Sequence, residues 1–310
     1  MEHSPHSARH IFLMILLAIA AAYFAPWVYS TCNSNQSVAP QNEDLWQLTG
    51  NIAERYQKYL VPAIFAPWAD DLIKRADLQK NDRVLDVACG SGIAARLASQ
   101  MVGENGTITG LDLSPEALDV ARALSPSSGP EIDWVEGDAM SLPLPSNTFH
   151  KVLCQQGLQF FPDQAKALQE MYRVLMPNGC VAVSVFYSLD KNPYPAALAK
   201  AISKYLDNDS AAQIGFPYAF NDPEELRSLL VSAGFRRVTV EDVELEIHVD
   251  SLPQFFIGHL SLFPFYPALA AKSPMERHSF LDEVSALLKP YITNGVLGVP
   301  MRAIVGIGTK

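Results

Sequence analysis

The stretch that most constrains this chain is Asp86-Val87-Ala88-Cys89-Gly90-Ser91-Gly92, set directly behind the apolar pair Val84-Leu85. It joins a strand carrying a carboxylate to a loop of small residues and then to a helical segment from Ile93 to Met101. Glycines at 90 and 92 let the chain turn tightly and bring backbone N–H groups against a ligand. The helix behind them offers its N-terminus to an anionic group.

The pattern around this loop repeats. Strand candidates are Arg83 to Val87, Thr107 to Leu111, Ile132 to Val135, Lys151 to Cys154 and Cys180 to Phe186, separated by helical stretches, with Val238 to Val249 and Met301 to Thr309 as the last strands. Ser114-Pro115-Glu116 and Asp222-Pro223-Glu224-Glu225 open helices with an N-cap and a proline at the first position. Leu168, Met171, Tyr172 and Leu175 recur at helical spacing before Pro177-Asn178-Gly179 stops the helix. Alternating units of this kind predict an α/β fold, a Rossmann-like, mostly parallel sheet with helices on both faces. Between Asn51 and Arg75, Pro62 and Pro67 predict two or three short helices leaning over the glycine loop.

Ligands of such sheets bind beyond the carboxyl ends of the strands. Four motifs fall there: Asp86 to Gly92, Gly110-Leu111-Asp112, Gly137-Asp138-Ala139 and Cys154-Gln155-Gln156-Gly157. An acid inside the first loop would repel a dinucleotide pyrophosphate but suits the ammonium and sulfonium of S-adenosylmethionine. Asp112, 20 residues after Gly92, is placed either to accept both hydroxyls of a ribose or to cap the Ser114-Pro115 helix. Asp138 can accept from an adenine amino group beside the Ala139 N–H, or simply form a turn. Gln155 and Gln156 leave the fourth strand beside the methyl-donor end, or satisfy loop backbone. Gly90 to Ala95 with Asp112 also fits a dinucleotide fingerprint, so an NAD(P)-dependent oxidoreductase is one alternative and a non-catalytic cofactor-binding interaction protein another.

Together these residues resemble the class I S-adenosylmethionine-dependent methyltransferases, on the branch similar to the ubiquinone and menaquinone C-methyltransferases and the type 11 methyltransferase domain. The likeness runs from about Tyr56 to Phe186. It implies contacts to the methionine moiety from Asp86, Ala88 and Gly90, to the ribose from Asp112, to the adenine from Asp138 and Ala139, and to the methionine amine from the loop backbone at Gln155. Leu158-Gln159-Phe160-Phe161-Pro162-Asp163 and Arg173-Val174-Leu175-Met176-Pro177-Asn178-Gly179 are further family landmarks. Three residues depart from the pattern: Ala88 and Asn178 stand where members carry glycine, and His150 replaces an aspartate before the fourth strand.

Methyl transfer from a sulfonium is an in-line displacement that depends mainly on positioning the acceptor. No catalytic base follows from the pattern, since His248 and His259 are isolated and a histidine among aromatics is ordinarily core. Tyr56 and Tyr59, with Phe255, Phe256, Phe263, Phe265 and Tyr266, predict either an acceptor-binding cap or the core of a helical subdomain. Either favours a small hydrophobic or aromatic acceptor, and a lipophilic one if the chain is anchored. The net charge of −10 argues against a nucleic-acid partner. The 4 cysteines form no C-x-x-C pair, and no metal-ligand spacing is present.

From Ile11 to Val28 run 18 residues without a charge, enough for a helix of about 27 Å. Residues 1–30 are therefore expected to be a single-pass membrane anchor or a cleaved signal segment, with Cys32 a poor lipoprotein site. Residues 31–43 read as a flexible linker, and 44–310 as a methyltransferase domain with a helical cap at about 187–220 and 251–290.

Overall fold

The computed structural model describes residues 44–310 apart from 125–127 and 221. The proposed anchor and linker lie outside the described residues. By its internal contacts the chain divides into Met1–Gln47 and Leu48–Lys310. Of the first unit only residues 44–47 are described, and they open with a 3-10 turn, Asp44–Trp46.

The second unit begins with helix α1 (Ile52–Arg55), whose Asn51 N-cap and Glu54 exchange side-chain to backbone hydrogen bonds at 2.9 Å each. A π-helical segment, Tyr56–Phe65, follows without a break and runs into α2 (Ala66–Ala76). The expected interruption at Pro62 does not occur. In the wider π turn the closing bond reaches back five residues, as from Ala66 N–H to Val61 O, and the run absorbs the proline's missing donor. Pro67 sits in the first turn of α2, where its N–H would be unpaired in any case.

Strands and helices then alternate, except that β3 passes to β4 without the helical stretch expected between them: β1 (Arg83–Val87), α3 (Ile93–Val102), β2 (Thr107–Asp112), α4 (Pro115–Ala123), β3 (Ile132–Glu136), β4 (Phe149–Gln155), α5 (Gln164–Val174) and β5 (Leu175–Phe186). Next come α6 (Pro193–Tyr205), α7 (Asn208–Gly215), α8 (Pro223–Ser232) and β6 (Arg236–Val249). The chain finishes with α9 (Leu252–Leu260), α10 (Tyr266–Ala270), α11 (Pro274–Leu287), β7 (Ile292–Thr293) and β8 (Val296–Thr309). The sheet order is β3-β2-β1-β4-β5-β8-β6, with β7 paired to β8. The first five strands are parallel, and β8 is antiparallel to both β5 and β6. This is the Rossmann-like sheet read from the sequence, with its order reversing between β1 and β4.

One face of the sheet is closed by Leu85, Val87, Val152, Val181 and Val183 packed on Leu168, Met171 and Val174 of α5 and Leu226 and Leu230 of α8. Each such buried side chain contributes about 1.5–3 kcal/mol. β5 starts at Leu175, earlier than expected, because Asn178 takes a left-handed φ of 65° and lets Pro177-Asn178-Gly179 bulge within the strand instead of ending it. His150 accepts a hydrogen bond from Arg83 N–H at 2.9 Å, at the start of β1 and so at the opposite end of the strands from the glycine loop. Among the described residues no helix is long and apolar enough to cross a membrane.

Candidate functional site at the strand ends

β1 delivers Asp86 to the carboxyl edge of the sheet, and the chain then turns through three left-handed residues, Ala88 (φ 56°), Gly90 (φ 55°) and Gly92 (φ 82°). A Cβ at Gly92 would run into the indole of Trp134, as would one at Gly110 in the middle of β2. These glycines are needed for a close approach as well as for a turn. Ala88 holds a conformation that costs a non-glycine residue roughly 1–2 kcal/mol. Its Cβ also fills the space beside Gly157, where an added Cβ would stand 2.8 Å away.

Asp86 is 1% exposed. Its Oδ2 accepts the Ala95 N–H at 2.9 Å, fixing it to the first turn of α3. Its Oδ1 is buried with no protein partner. Burial pushes this carboxyl up to about 7; the Ala95 bond opposes the shift, Asp112 adds to it and Arg96 reduces it. Asp112 ends β2 and accepts Gly90 N–H at 2.7 Å and Ser114 N–H at 2.9 Å, so it braces both neighbouring loops. The helix cap itself is the Ser114 hydroxyl, which accepts from Ala117 N–H. Burial raises the Asp112 carboxyl above its ordinary value, against the Ser114 and Gly90 hydrogen bonds.

The loop after β3 lies against Asp112, whose carbonyl accepts Gly137 N–H at 3.0 Å. Within it Asp138 Oδ1 accepts Met140 N–H at 2.8 Å, forming the turn, and Ala139 is buried. After β4, the Gln155 amide donates to the carbonyl of Phe65 at 2.7 Å, tying the strand end to the π-helical segment. Tyr56, from that same segment, sets its ring beside Gly90, near Asp86 and Asp112. Burial first, and those two acids second, keep its phenol protonated far above the ordinary range. Asp86, Ala88, Gly90, Gly92, Asp112, Asp138, Ala139, Gln155 and Tyr56 thus all lie around the carboxyl ends of β1 to β4.

Phe255 and Phe256 do not join them. They pack on Tyr194, Phe255 tilted and Phe256 stacked, with centroids 5.0 and 5.9 Å away, inside an aromatic core between α6 and α9, so the subdomain-core alternative describes their surroundings. His259 belongs to that core, its Nδ1 2.7 Å from the Tyr194 hydroxyl, and desolvation pushes it down to about 4. His248 lies on β6 beside Glu246, well exposed. Burial pushes the thiols of Cys89, Cys154 and Cys180 up, Cys154 to about 12, which makes them inert packing.

Two residues at the site, Trp134 and Ser184, escaped the sequence reading. Trp134 was signalled only by the glycine at 110 in the middle of a strand. Ser184 is buried without a partner, and nothing in its local sequence marks it; Ser91 and both amide atoms of Gln156, which lie in two of the motifs singled out above, are buried without partners as well. A buried polar atom left unpaired costs about 1–3 kcal/mol, so a set of them beside a glycine loop outlines a ligand. The donor set suits S-adenosylmethionine: an unpaired carboxylate oxygen for its cationic end, the Ser91 hydroxyl for its carboxylate, and acids at the end of β2 and just after β3 for its adenosine. Among the described residues no cluster of metal-ligating side chains is present.

Comparison with known proteins agrees. A family model described as a methyltransferase domain matches residues 84–179. The chain is 35% identical over 187 residues to a demethylmenaquinone methyltransferase of Shouchella clausii, covering 56% of this chain and 79% of that one. It is 30% identical over 207 residues to a 2-phytyl-1,4-naphtoquinone methyltransferase of Thermosynechococcus vestitus, covering 63% and 90%. The YcgJ protein of Bacillus subtilis shares the fold, with a TM-score of 0.51 at 20% identity over 79% of this chain and 98% of that one. With the dinucleotide reading thereby set aside, the chain belongs to the S-adenosylmethionine-dependent methyltransferases.

Proposed function

We propose that this methyltransferase acts on a lipophilic aromatic ring of the quinol type, a reduced naphthoquinone bearing a prenyl or phytyl chain. The carrying observation is a file of rings beginning at the glycine loop: Tyr56 to Phe65 at 4.8 Å, Phe65 to Phe186 at 6.0 Å and Phe186 to Tyr218 at 5.0 Å between centroids. Such walls favour a flat, apolar acceptor. The names of the two relatives point to the same chemistry. The reduced ring is the reactive form, because a ring carbon must donate an electron pair to an electrophilic methyl group.

When bound, S-adenosylmethionine supplies a methyl group on a good leaving sulfur. In this reading Asp86, Ala88, Gly90 and Gly92 hold its methionine end, Asp112 its ribose, Asp138 and Ala139 its adenine, and the Gln155 backbone its amine. Tyr56 and the rings behind it hold the acceptor flat, about 3 Å from the methyl carbon, which is the principal source of acceleration. One C–S bond breaks and one C–C bond forms, and the displaced ring proton leaves to solvent. The helices at 187–220 and 251–290 act as a cap over the site, with Phe255 and Phe256 shaping it from behind.

Labelled S-adenosylmethionine incubated with the purified protein and a prenylated 1,4-naphthoquinol tests this. Label should pass into the lipophilic product, and transfer only to polar amines or carboxylates would refute the acceptor class. Residues 1–30 would serve such an acceptor as a membrane anchor. Protease added to sealed vesicles reads its topology, and a chain wholly released by carbonate washing argues against the anchor.

A further inference from the structure

The loop that follows β4 carries two glutamines whose side chains have nothing to bond. Gln156 is 4% exposed, and neither its Nε2 nor its Oε1 has a hydrogen-bond partner. Gln159, three residues on, leaves the same two atoms buried and unpartnered. Gln156 is also held in the left-handed region at φ 51°, an arrangement costly for a residue with a side chain. Its own N–H donates to Ser184 O at 2.9 Å, which ties the loop to β5, while the next residue, Gly157, packs beside Ala88 of the β1 loop. The Ser184 hydroxyl, fully buried, is unpartnered as well. Two residues beyond it stands Phe186, in the file of rings assigned to the acceptor.

Buried amides without protein partners are completed by a ligand or by bound water. Each amide offers one donor group and one acceptor and carries no charge. That suits a hydroxyl or carbonyl oxygen on a neutral ring and gives no counter-charge to a carboxylate or phosphate. The nearby Gln155 differs, since its amide is already committed to Phe65.

We propose that Gln156 and Gln159 bind the oxygens of the acceptor ring, orienting it so that one ring carbon faces the methyl group. The inference rests on the quinol reading above and adds the residues that would select it. An acceptor lacking ring oxygens leaves the amides unpaired and is rejected; one with an oxygen beside the reacting carbon is held in register.

The near-isosteric variants Gln156→Met and Gln159→Met test it. Removing unpaired amides should raise the melting temperature of the ligand-free protein by about 2–4 °C each. Affinity for S-adenosylhomocysteine, read by calorimetry, should stay within twofold. With a prenylated 1,4-naphthoquinol, kcat/KM should fall about 30-fold or more. A lower melting temperature would show that the amides have structural partners, and a tenfold loss of S-adenosylhomocysteine affinity would place them in the cofactor site. Either result overturns the proposal. If the wild-type protein leaves the naphthoquinol unmethylated, the quinol reading fails by itself; the melting and calorimetric results still decide whether the amides are kept open for a ligand other than the cofactor.

Discussion

The strand-end cradle and the aromatic core between α6 and α9 bury polar groups in opposite ways. In the core each such contact is closed: Tyr194 hydroxyl with His259 Nδ1 at 2.7 Å, and Ser261 Oγ to Gly258 O at 2.6 Å. Neither α6 nor α9 contains a left-handed residue. In the cradle, Asp86 Oδ1, Ser91, Ser184 and Gln156 remain open, and Ala88 and Gln156 are held at positive φ. The core is finished by the chain alone, whereas the cradle is finished by what binds to it. Stability and ligand affinity should therefore respond to substitution in separate places.

The sharpest break should come in the core. His259→Ala removes a ring and strands the Tyr194 hydroxyl, which should cost about 2–4 kcal/mol in denaturant unfolding while S-adenosylhomocysteine affinity holds within twofold. An equal loss of affinity would mean the two regions are coupled.

Asp112→Ala should show the reverse. Calorimetry should find S-adenosylhomocysteine binding weaker by about 1–3 kcal/mol, from lost ribose hydrogen bonds and a slackened Gly90 loop. If affinity is unchanged, Asp112 only braces Gly90 and Ser114.

Asp86 gives a pH signature. Its carboxyl is held at about 7 in the folded chain against 3.8 ordinarily, so between those values the folded state keeps a proton that the unfolded state releases. Stability of the ligand-free protein should fall as pH rises from about 4 to 7 and level off above. A ligand ammonium set against Asp86 favours the ionised form. Titrations with S-adenosylhomocysteine at pH 7, in buffers of different ionisation enthalpy, should release about half a proton per site. No release would separate the ligand's ammonium from Asp86.

Smallest is Ala88→Gly. Relief of the left-handed strain is opposed by the extra freedom of an unfolded glycine, and melting should report a net change under about 1 kcal/mol.

Much of the sheet was legible because its signals are local. Alternating apolar runs, Ser114-Pro115 and the glycines at 90 and 92 each encode their own geometry. The continuous helical run through Pro62 was not, since a π turn is chosen by packing over the loop and leaves no periodicity of its own. Gln155 and Gln156 show the limit most clearly. Adjacent and identical in type, they part because Gln155 ends the strand and reaches a carbonyl 90 residues earlier in the chain, whereas Gln156 is turned left-handed with its amide unpaired. Phe255 and Phe256 were visible as an aromatic cluster, but whether such a cluster lines a site or fills a core depends on Tyr194, which lies far away in sequence.

The contact between Ala88 and Gly157 has a consequence for how this loop can diverge. A methyl group at 157 would stand 2.8 Å from the one at 88 and 3.1 Å from Cys154 Sγ, so the methyl at 88 is the nearer of two obstacles and the two positions compete for the same room. Gly157→Ala should be damaging alone and less so in the Ala88→Gly background, where only Cys154 Sγ still crowds it. The order in which these substitutions arise then decides which descendants of this sequence are reachable.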